Sequence, residues 1–208
     1  MTRVTLETRI LDAAKDCCER WGVAKVTIDD IAHAAGVSRA TLYRLFPGGK
    51  DVLFEALRVR ELEDFFGRLQ AAIEGADSLE DIVVRAVVAA TQELRADEHL
   101  ARMMASAPGE ALGELTVAGL PRIVRMATVT LTPFVTDHLA FPTARRLIEV
   151  LSRLTISYFL APSDDLDLGD PTSARAFLRP VVHVLTAHAI TPETTNEIVN
   201  EVPVLEGS

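Results

Sequence analysis

Apolar residues recur every three to four positions along almost all of this 208-residue chain. That spacing puts them on one face of an α-helix, whereas a half-buried strand needs strict alternation of apolar and polar residues. Alternating stretches bounded by turn residues are absent from the sequence. The pattern predicts an all-α fold. In the first helix the inward face is expected to hold Leu6, Ile10, Ala14, Cys17, Cys18 and Trp21. Further helices are expected after Gly49, after a cap at Ser78, and near 98–107, 121–140, 143–160 and 172–189.

The charge is unevenly distributed along the chain. The net charge is -9, which is unusual for a protein that binds nucleic acid. Residues 1–60 contain ten Lys and Arg against eight Asp and Glu, whereas the remainder contains eleven against twenty-two. The first part therefore carries +2 and the second -11. A weakly basic end on an acidic body is compatible with DNA binding at one end.

No signal for export or membrane insertion is present in the sequence. No run of about eighteen apolar residues occurs, and charges lie throughout the first twenty residues, where a signal peptide has an apolar centre. Cys17 and Cys18 are adjacent, so they form neither a spaced disulfide framework nor a zinc site. The expected location is the cytoplasm.

The segment from Thr27 to Lys50, TIDDIAHAAGVSRATLYRLFPGGK, combines two short helical patterns with a tight turn. Thr27 and Asp30 have the spacing of a reciprocal helix cap, and Ser38 can cap the second helix. Gly36 lies at the turn, where a residue without Cβ tolerates left-handed backbone. Such a pair is a helix-turn-helix, whose second helix enters the major groove of DNA. The residues expected to face inward are Ile31, Ala32, Ala35, Val37, Leu42 and Phe46.

This segment resembles the signature of the tetracycline-repressor (TetR) family. The match covers about residues 5–58 and rests on Thr27, Ile31-Ala32, Ala35-Gly36-Val37-Ser38, Thr41-Leu42-Tyr43, Phe46 and Lys50. One departure is visible, because the family usually places Lys three residues after the Phe, whereas Lys50 follows Phe46 by four. The rest of the chain resembles the family in its length, its helix pattern and the character of its last two helices.

The resemblance implies a DNA-binding surface made of Thr27, Ser38, Arg39, Thr41, Tyr43, Arg44 and Lys50. Arg39 and Arg44 are suited to bidentate pairing with guanine, which contributes about 1–3 kcal/mol of discrimination per contact. Thr27, Tyr43 and Lys50 are implied as phosphate contacts, which fix the register without reading sequence. The alternative is that the arginines are solvated surface and that Tyr43 is a core residue.

The resemblance also implies the domain organisation. Residues 1–50 are expected to form the helix-turn-helix domain, residues 51–190 a helical domain for effector binding and dimerisation, and residues 191–208 a loose tail. The last two helices are expected to pair with those of a second copy, since residues 143–160 are apolar almost all round. A two-fold homodimer would present two heads to a pseudo-palindromic operator. The alternative is that these helices close a monomer core.

A ligand pocket is expected in the central segment, residues 98–140. Proline and glycine interrupt it repeatedly, and irregular helices leave space that straight helices would fill. The candidate lining is Met103, Met104, Phe134, His138, Tyr158 and Phe159. Such a lining favours a mainly apolar effector, for example an acyl chain, a steroid or a planar drug. The alternative is that each of these is an ordinary core residue.

The sequence as a whole predicts a ligand-responsive repressor, with a double-stranded DNA operator and an apolar small molecule as partners. Ligand binding is expected to move the central helices and, through the helix beginning near Lys50, to separate the two heads. No cofactor, metal or membrane partner is predicted. No enzyme is predicted either, because the sequence lacks a Gly-rich phosphate loop, a nucleophile elbow and metal-spaced histidines. The alternative is an effector-free DNA-binding protein of the same fold, which acts architecturally or through a protein partner. A well-formed, enclosed apolar cavity would count against it, and a solid core would favour it.

Overall fold

The computed structural model of the chain describes residues 3–106 and 108–189. Within these residues every regular element is an α-helix, which confirms the predicted fold class. No described helix is long and apolar enough to cross a membrane. The helices are α1 (Arg3–Trp21), α2 (Ile28–Ala34), α3 (Arg39–Leu45), α4 (Lys50–Ile73), α5 (Leu79–Ala96), α6 (Glu98–Ser106), α7 (Pro108–Leu115), α8 (Leu120–Val135), α9 (Phe141–Leu160) and α10 (Pro171–Ala189).

The N-terminal core is built by α1, α2, α3 and the first half of α4. Ile10, Ile31 and Leu42 are fully buried in it, and Leu53 and Leu57 of α4 complete it. Trp21 does not join this core. Its side chain is 45% exposed at the end of α1, where the Arg20 guanidinium lies 5.7 Å from the centre of its ring. The expectation that Trp21 faces inward is therefore wrong.

The second core is larger and lies between α5, α8, α9, α10 and the second half of α4. α5 begins at the predicted Ser78 cap, where the Asp81 amide donates to the Ser78 hydroxyl over 3.2 Å. Because α4 contributes Leu53 to the first core and Leu69 to the second, one continuous helix connects the two domains. The expected boundary at residue 50 coincides with the start of this shared helix.

The central segment is broken as its glycines and prolines predict. α6 and α7 are short, and their buried residues Leu100 and Leu115 pack with Ile156 of α9 in a small third cluster. α8 contains Pro133 and ends at Val135, whereas α10 continues through Pro180. The tail expected at 191–208 lies outside the described residues.

Candidate DNA-binding surface and internal cavity

The start of α2 is fixed by the reciprocal cap that the sequence predicts. The Asp30 amide donates to the Thr27 hydroxyl oxygen over 3.2 Å, and the Thr27 amide donates to the Asp30 carboxylate over 2.9 Å. The Thr27 hydroxyl also donates to that carboxylate over 2.6 Å. The hydroxyl bond first, and the amide bond second, lower the pKa of Asp30. Thr27 is exposed, but in this state its hydroxyl is engaged in the cap.

The turn between α2 and α3 requires glycine at position 36. Gly36 has φ +62°, which side chains other than glycine rarely adopt. Its amide donates to the His33 carbonyl over 3.0 Å, and the Val37 amide donates to the Ala32 carbonyl over 2.9 Å. This pair of bonds is a Schellman motif, which satisfies the last carbonyls of α2. The half-buried Val37 then packs on the N-terminal core as predicted.

The exposed face of α3 holds most of the predicted DNA contacts. Ser38 caps the helix by accepting from the Thr41 amide over 3.1 Å, and the two hydroxyl oxygens lie 2.9 Å apart. Leu42 is fully buried, so Tyr43 and Arg44 lie on the opposite, exposed side. Tyr43 is 44% exposed and packs beside Gly49. α3 therefore presents a phenol and a guanidinium to solvent while its inner face holds the domain together.

Arg39 lies on the same exposed face but is paired within the chain. Its Nε atom is 2.9 Å from Oδ1 of Asp29 in the first turn of α2. Both side chains are more than half exposed, so solvent screens the pair and it contributes about 0–1 kcal/mol. The guanidinium can therefore exchange Asp29 for a base or a phosphate at small cost.

Lys50 has a structural partner. Its ammonium donates to the Val23 carbonyl over 3.0 Å and lies 5.4 Å from the centre of the Phe54 ring. These contacts fasten the start of α4 to the turn between α1 and α2. Gly48 (φ +115°) and Gly49 (φ +71°) make the sharp bend before it. The ammonium has three donors, so a phosphate contact by Lys50 stays a prediction.

A cavity of about 630 Å³ lies between the N-terminal domain and the second core. Its deep wall is aliphatic and includes Val87, Ala90, Leu131, Leu147 and Leu151. Its outer wall carries charged side chains of α1, α4 and α8, together with Asp97 between α5 and α6. The two polar groups among the α9 residues of the wall are the hydroxyls of Ser152 and Thr155.

The thiol of Cys18 also lies on the cavity wall. Burial, followed by the neighbouring Cys17, raises the pKa of Cys18 to about 11. Burial likewise raises the pKa of Cys17. Both cysteines are buried and neither forms a disulfide. A thiol in this state is protonated near neutrality and chemically inert.

Comparison with known proteins agrees with the helix-turn-helix geometry. The profile of the family described as "Bacterial regulatory proteins, tetR family" matches residues 10–57, which span α2, α3 and the capping residues described above. The helix-turn-helix segment of the chain is therefore similar to that of the tetR family.

Two relatives of the chain come from Mycobacterium tuberculosis. One is an uncharacterised HTH-type transcriptional regulator, 34% identical over 98 residues, which are 47% of this chain and 49% of the relative. The chain thus spans about half the length of that protein. The other is the HTH-type transcriptional regulator AlkX, 24% identical over 167 residues, which are 78% of this chain and 79% of AlkX.

Among solved structures, the TetR family repressor AlkX from Dietzia sp. strain DQ12-45-1b has a similar fold. The superposition has a TM-score of 0.64 at 23% identity and covers 89% of this chain and 97% of that one. That repressor is implicated in the biodegradation of n-alkanes. The likeness supports the fold of both domains of this chain.

The predicted pocket residues lie in different places. Met103 lines the cavity, whereas Met104 and Phe159 pack on the third cluster outside the cavity lining. Phe134 and Tyr158 pack against the second core, also outside the lining, and Tyr158 meets Phe177 edge to face at 5.9 Å. His138 follows the end of α8 and is exposed, away from the lining. The centre of the cavity lies nearer to α4 and α5 than the sequence indicates.

Sequence reasoning missed the polar residues at the outer wall of the cavity. Arg122 of α8 lies 3.0 Å from the Glu55 carboxylate of α4, and Arg58 lies 2.9 Å from the same carboxylate. The contact between Glu55 and Arg58 can be predicted from the sequence, because the two residues are three positions apart on one helix. Glu55 and Arg122 are 67 residues apart, and no pattern of spacing predicts that they meet.

Proposed function

We propose that this chain is a DNA-binding transcriptional regulator that acts as a homodimer and responds to a mainly apolar small molecule. The observation that carries DNA binding is the exposed face of α3, where Arg39, Tyr43 and Arg44 project from a helix capped by Ser38. The preceding helix α2 is held by its reciprocal cap and by the Schellman turn. Arginine forks suit base edges and phosphates, and a phenol suits phosphates.

The test of DNA binding is selection of duplexes from a random library on the purified protein, followed by fluorescence anisotropy on the enriched sequence. We expect a pseudo-palindrome whose half-site centres are about 34 Å apart, or a multiple of that distance. Substituting one half-site should reduce the affinity sharply. Absence of any enriched sequence would contradict the proposed function.

The homodimer is proposed to form through α9 and α10. On these helices Val150 is 47% exposed and Val184 is 55% exposed in the single chain, and a partner covering them would gain apolar burial. Light scattering after gel filtration should give twice the chain mass for the wild type and a lower mass for Val150→Asp/Val184→Asp. Val117→Asp, at an 88% exposed position before α8, is the matched control and should leave the mass unchanged.

Small-molecule binding is supported by the cavity. Its volume of about 630 Å³ lies within the range of about 300–1,000 Å³ typical of ligand pockets, and most of its wall is aliphatic. The effector-free alternative predicts a solid core, so the cavity favours a ligand. Because α4 lines this cavity and also contributes to the N-terminal core, a ligand can act on the position of α3 through one helix.

The effector is tested with a panel of apolar compounds, by thermal unfolding and by operator anisotropy. Active compounds should raise the unfolding temperature and weaken operator binding. Ala90→Phe fills the cavity from α5 and should abolish both effects. Ala71→Phe, at an exposed position of α4 outside the cavity, should retain them. A panel that acts equally on both variants would place the ligand elsewhere.

A further inference from the structure

Two arginines share one carboxylate at the outer wall of the cavity. Arg58 Nη2 lies 2.9 Å from Oε2 of Glu55, and Arg122 Nη2 lies 3.0 Å from Oε1. Arg58 and Arg122 are part of the cavity lining, whereas Glu55 is not. We call these three residues the mouth cluster. It carries one positive charge more than negative, and its two arginines are the members that line the cavity.

The other charged residues of the wall are Lys15, Glu19, Glu61 and Asp97. Lys15 lies 3.6 Å from the Glu61 carboxylate. Asp97 accepts from the Leu100 amide over 2.9 Å and so caps α6. Among the Lys and Arg residues of the lining, Lys15 therefore has the Glu61 carboxylate to itself. Arg58 and Arg122, by contrast, share the single carboxylate of Glu55. The lining as a whole is balanced, with Lys15, Arg58 and Arg122 against Glu19, Glu61 and Asp97, so the excess of positive charge is local to the mouth cluster.

The position of Arg122 in its helix adds to this excess. Arg122 lies in the first turn of α8, which contains no acidic residue. The first turn of a helix carries partial positive charge, so a cation there is unfavourable and an anion favourable. Glu55 supplies one anion from α4, and a second anion would balance both guanidiniums.

Resting on the proposed effector function, we propose that the effector is an amphipathic monocarboxylate. Its alkyl chain lies against the aliphatic wall formed by Ala90, Leu131 and Leu151, and its carboxylate binds Arg122 and Arg58. A planar carboxylate matches the guanidinium fork and forms charge-assisted hydrogen bonds. One negative charge equals the excess of the mouth cluster, so a carboxylate fits it better than a phosphate-rich head group.

Such a ligand also has a route to the DNA-binding domain. Glu55 is in the part of α4 that packs with the N-terminal core, between Phe54 and Leu57. A ligand carboxylate that binds Arg122 in place of Glu55 weakens the link between α8 and α4. The ligand then favours arrangements in which the two helices are apart, and operator affinity falls by the coupling between the two sites.

The test compares octanoate, dodecanoate and hexadecanoate with the alcohols of the same chain lengths, each below its micelle concentration. Binding is measured by calorimetry, and operator affinity by anisotropy. In the wild type the best acid should bind about tenfold or more tightly than its alcohol. Arg122→Gln should lower the affinity for the acid to that for the alcohol. Arg122→Lys, which keeps the charge without the fork, should give an intermediate value.

The matched control is Arg125→Gln, an exposed arginine of the same helix outside the cavity lining, which should bind acid and alcohol as the wild type does. Equal affinity for acid and alcohol in the wild type, with release of the operator by both, would overturn the carboxylate and leave the apolar effector standing. If no acid and no alcohol binds, the carboxylate proposal is wrong. The panel of apolar compounds tested on Ala90→Phe then decides separately whether the protein has an apolar effector. Much tighter Arg122-dependent binding of dodecanoyl coenzyme A would overturn it in favour of a phosphate-bearing ligand.

Discussion

Arg39 and Asp29 connect the two helices of the helix-turn-helix across its exposed surface. The Arg39 Nε atom lies 2.9 Å from Asp29 Oδ1, with the arginine in the first turn of α3 and the carboxylate in the first turn of α2. The pair places a negative charge beside the side chain best suited to read a base. Under the proposed role of Arg39 as a DNA contact, Asp29 competes with DNA for its guanidinium.

Asp29→Asn should raise the affinity for the selected operator. An exposed ion pair contributes about 0.2–1 kcal/mol, so its removal is expected to strengthen binding roughly 1.5- to fivefold in anisotropy at fixed salt. Asp64→Asn removes the same charge at an exposed position of α4 and should change the affinity less. A weaker operator complex for Asp29→Asn would mean that Asp29 orients Arg39 in the bound state.

Arg44 and Tyr43 are neighbours on α3 with different expected roles. Arg44→Gln should relax the preference at one base pair, with a loss of about 1–3 kcal/mol on the preferred base. Tyr43→Phe removes one neutral phosphate contact, so it should weaken all sequences alike and leave the salt dependence unchanged. Anisotropy on single-base operator variants at several salt concentrations separates the two. A sequence-dependent loss for Tyr43→Phe would contradict its role as a phosphate contact.

The features that the sequence predicted correctly are local in the chain. The Thr27–Asp30 cap, the left-handed Gly36 and the Ser38 cap each depend on residues within about four positions, where backbone geometry decides the outcome. The burial of Leu42 follows from helical periodicity in the same way. The all-α fold likewise follows from local patterns, so it can be predicted without knowing which distant segments contact one another.

The cavity depends on contacts between distant segments. Its wall combines α1, α4, α5, α6, α7, α8 and α9, and helical periodicity does not specify which faces of these helices are left apart. Met103 was predicted to line it, whereas Arg58 and Arg122 were not. The sequence gives no signal for the pairing of Asp29 with Arg39, since the pair requires the crossing of two helices. Trp21 fits the periodic pattern but is exposed, because α1 ends there.

Gly36 and Gly67 should respond to alanine in opposite directions. A Cβ at either position meets no atom within 4 Å, so the backbone alone decides the effect. At Gly36, with φ +62°, alanine should cost about 1–2 kcal/mol. At Gly67, an exposed interior position of α4, alanine should stabilise by about 0.5–1 kcal/mol. Urea unfolding followed by circular dichroism measures both. Stabilisation by Gly36→Ala would contradict the left-handed turn.

Cys18 should resist alkylation until the pH approaches its raised pKa. Burial and the neighbouring Cys17 raise this pKa to about 11, whereas an unfolded cysteine titrates near pH 8.5. The folded state therefore holds its proton more tightly, and the stability gained from this is complete below about pH 8.5 and lost as the pH rises to about 11.

At pH 8 the thiolate fraction of Cys18 should be roughly a hundredfold lower in folded than in unfolded protein. The rate of iodoacetamide labelling, followed by mass spectrometry in a Cys17→Ser background, measures it. Because that substitution removes one cause of the shift, the midpoint should lie somewhat below 11. Labelling of the folded variant with a midpoint near pH 8.5 would show instead that the thiol is open to water and that the cavity wall at α1 is not closed.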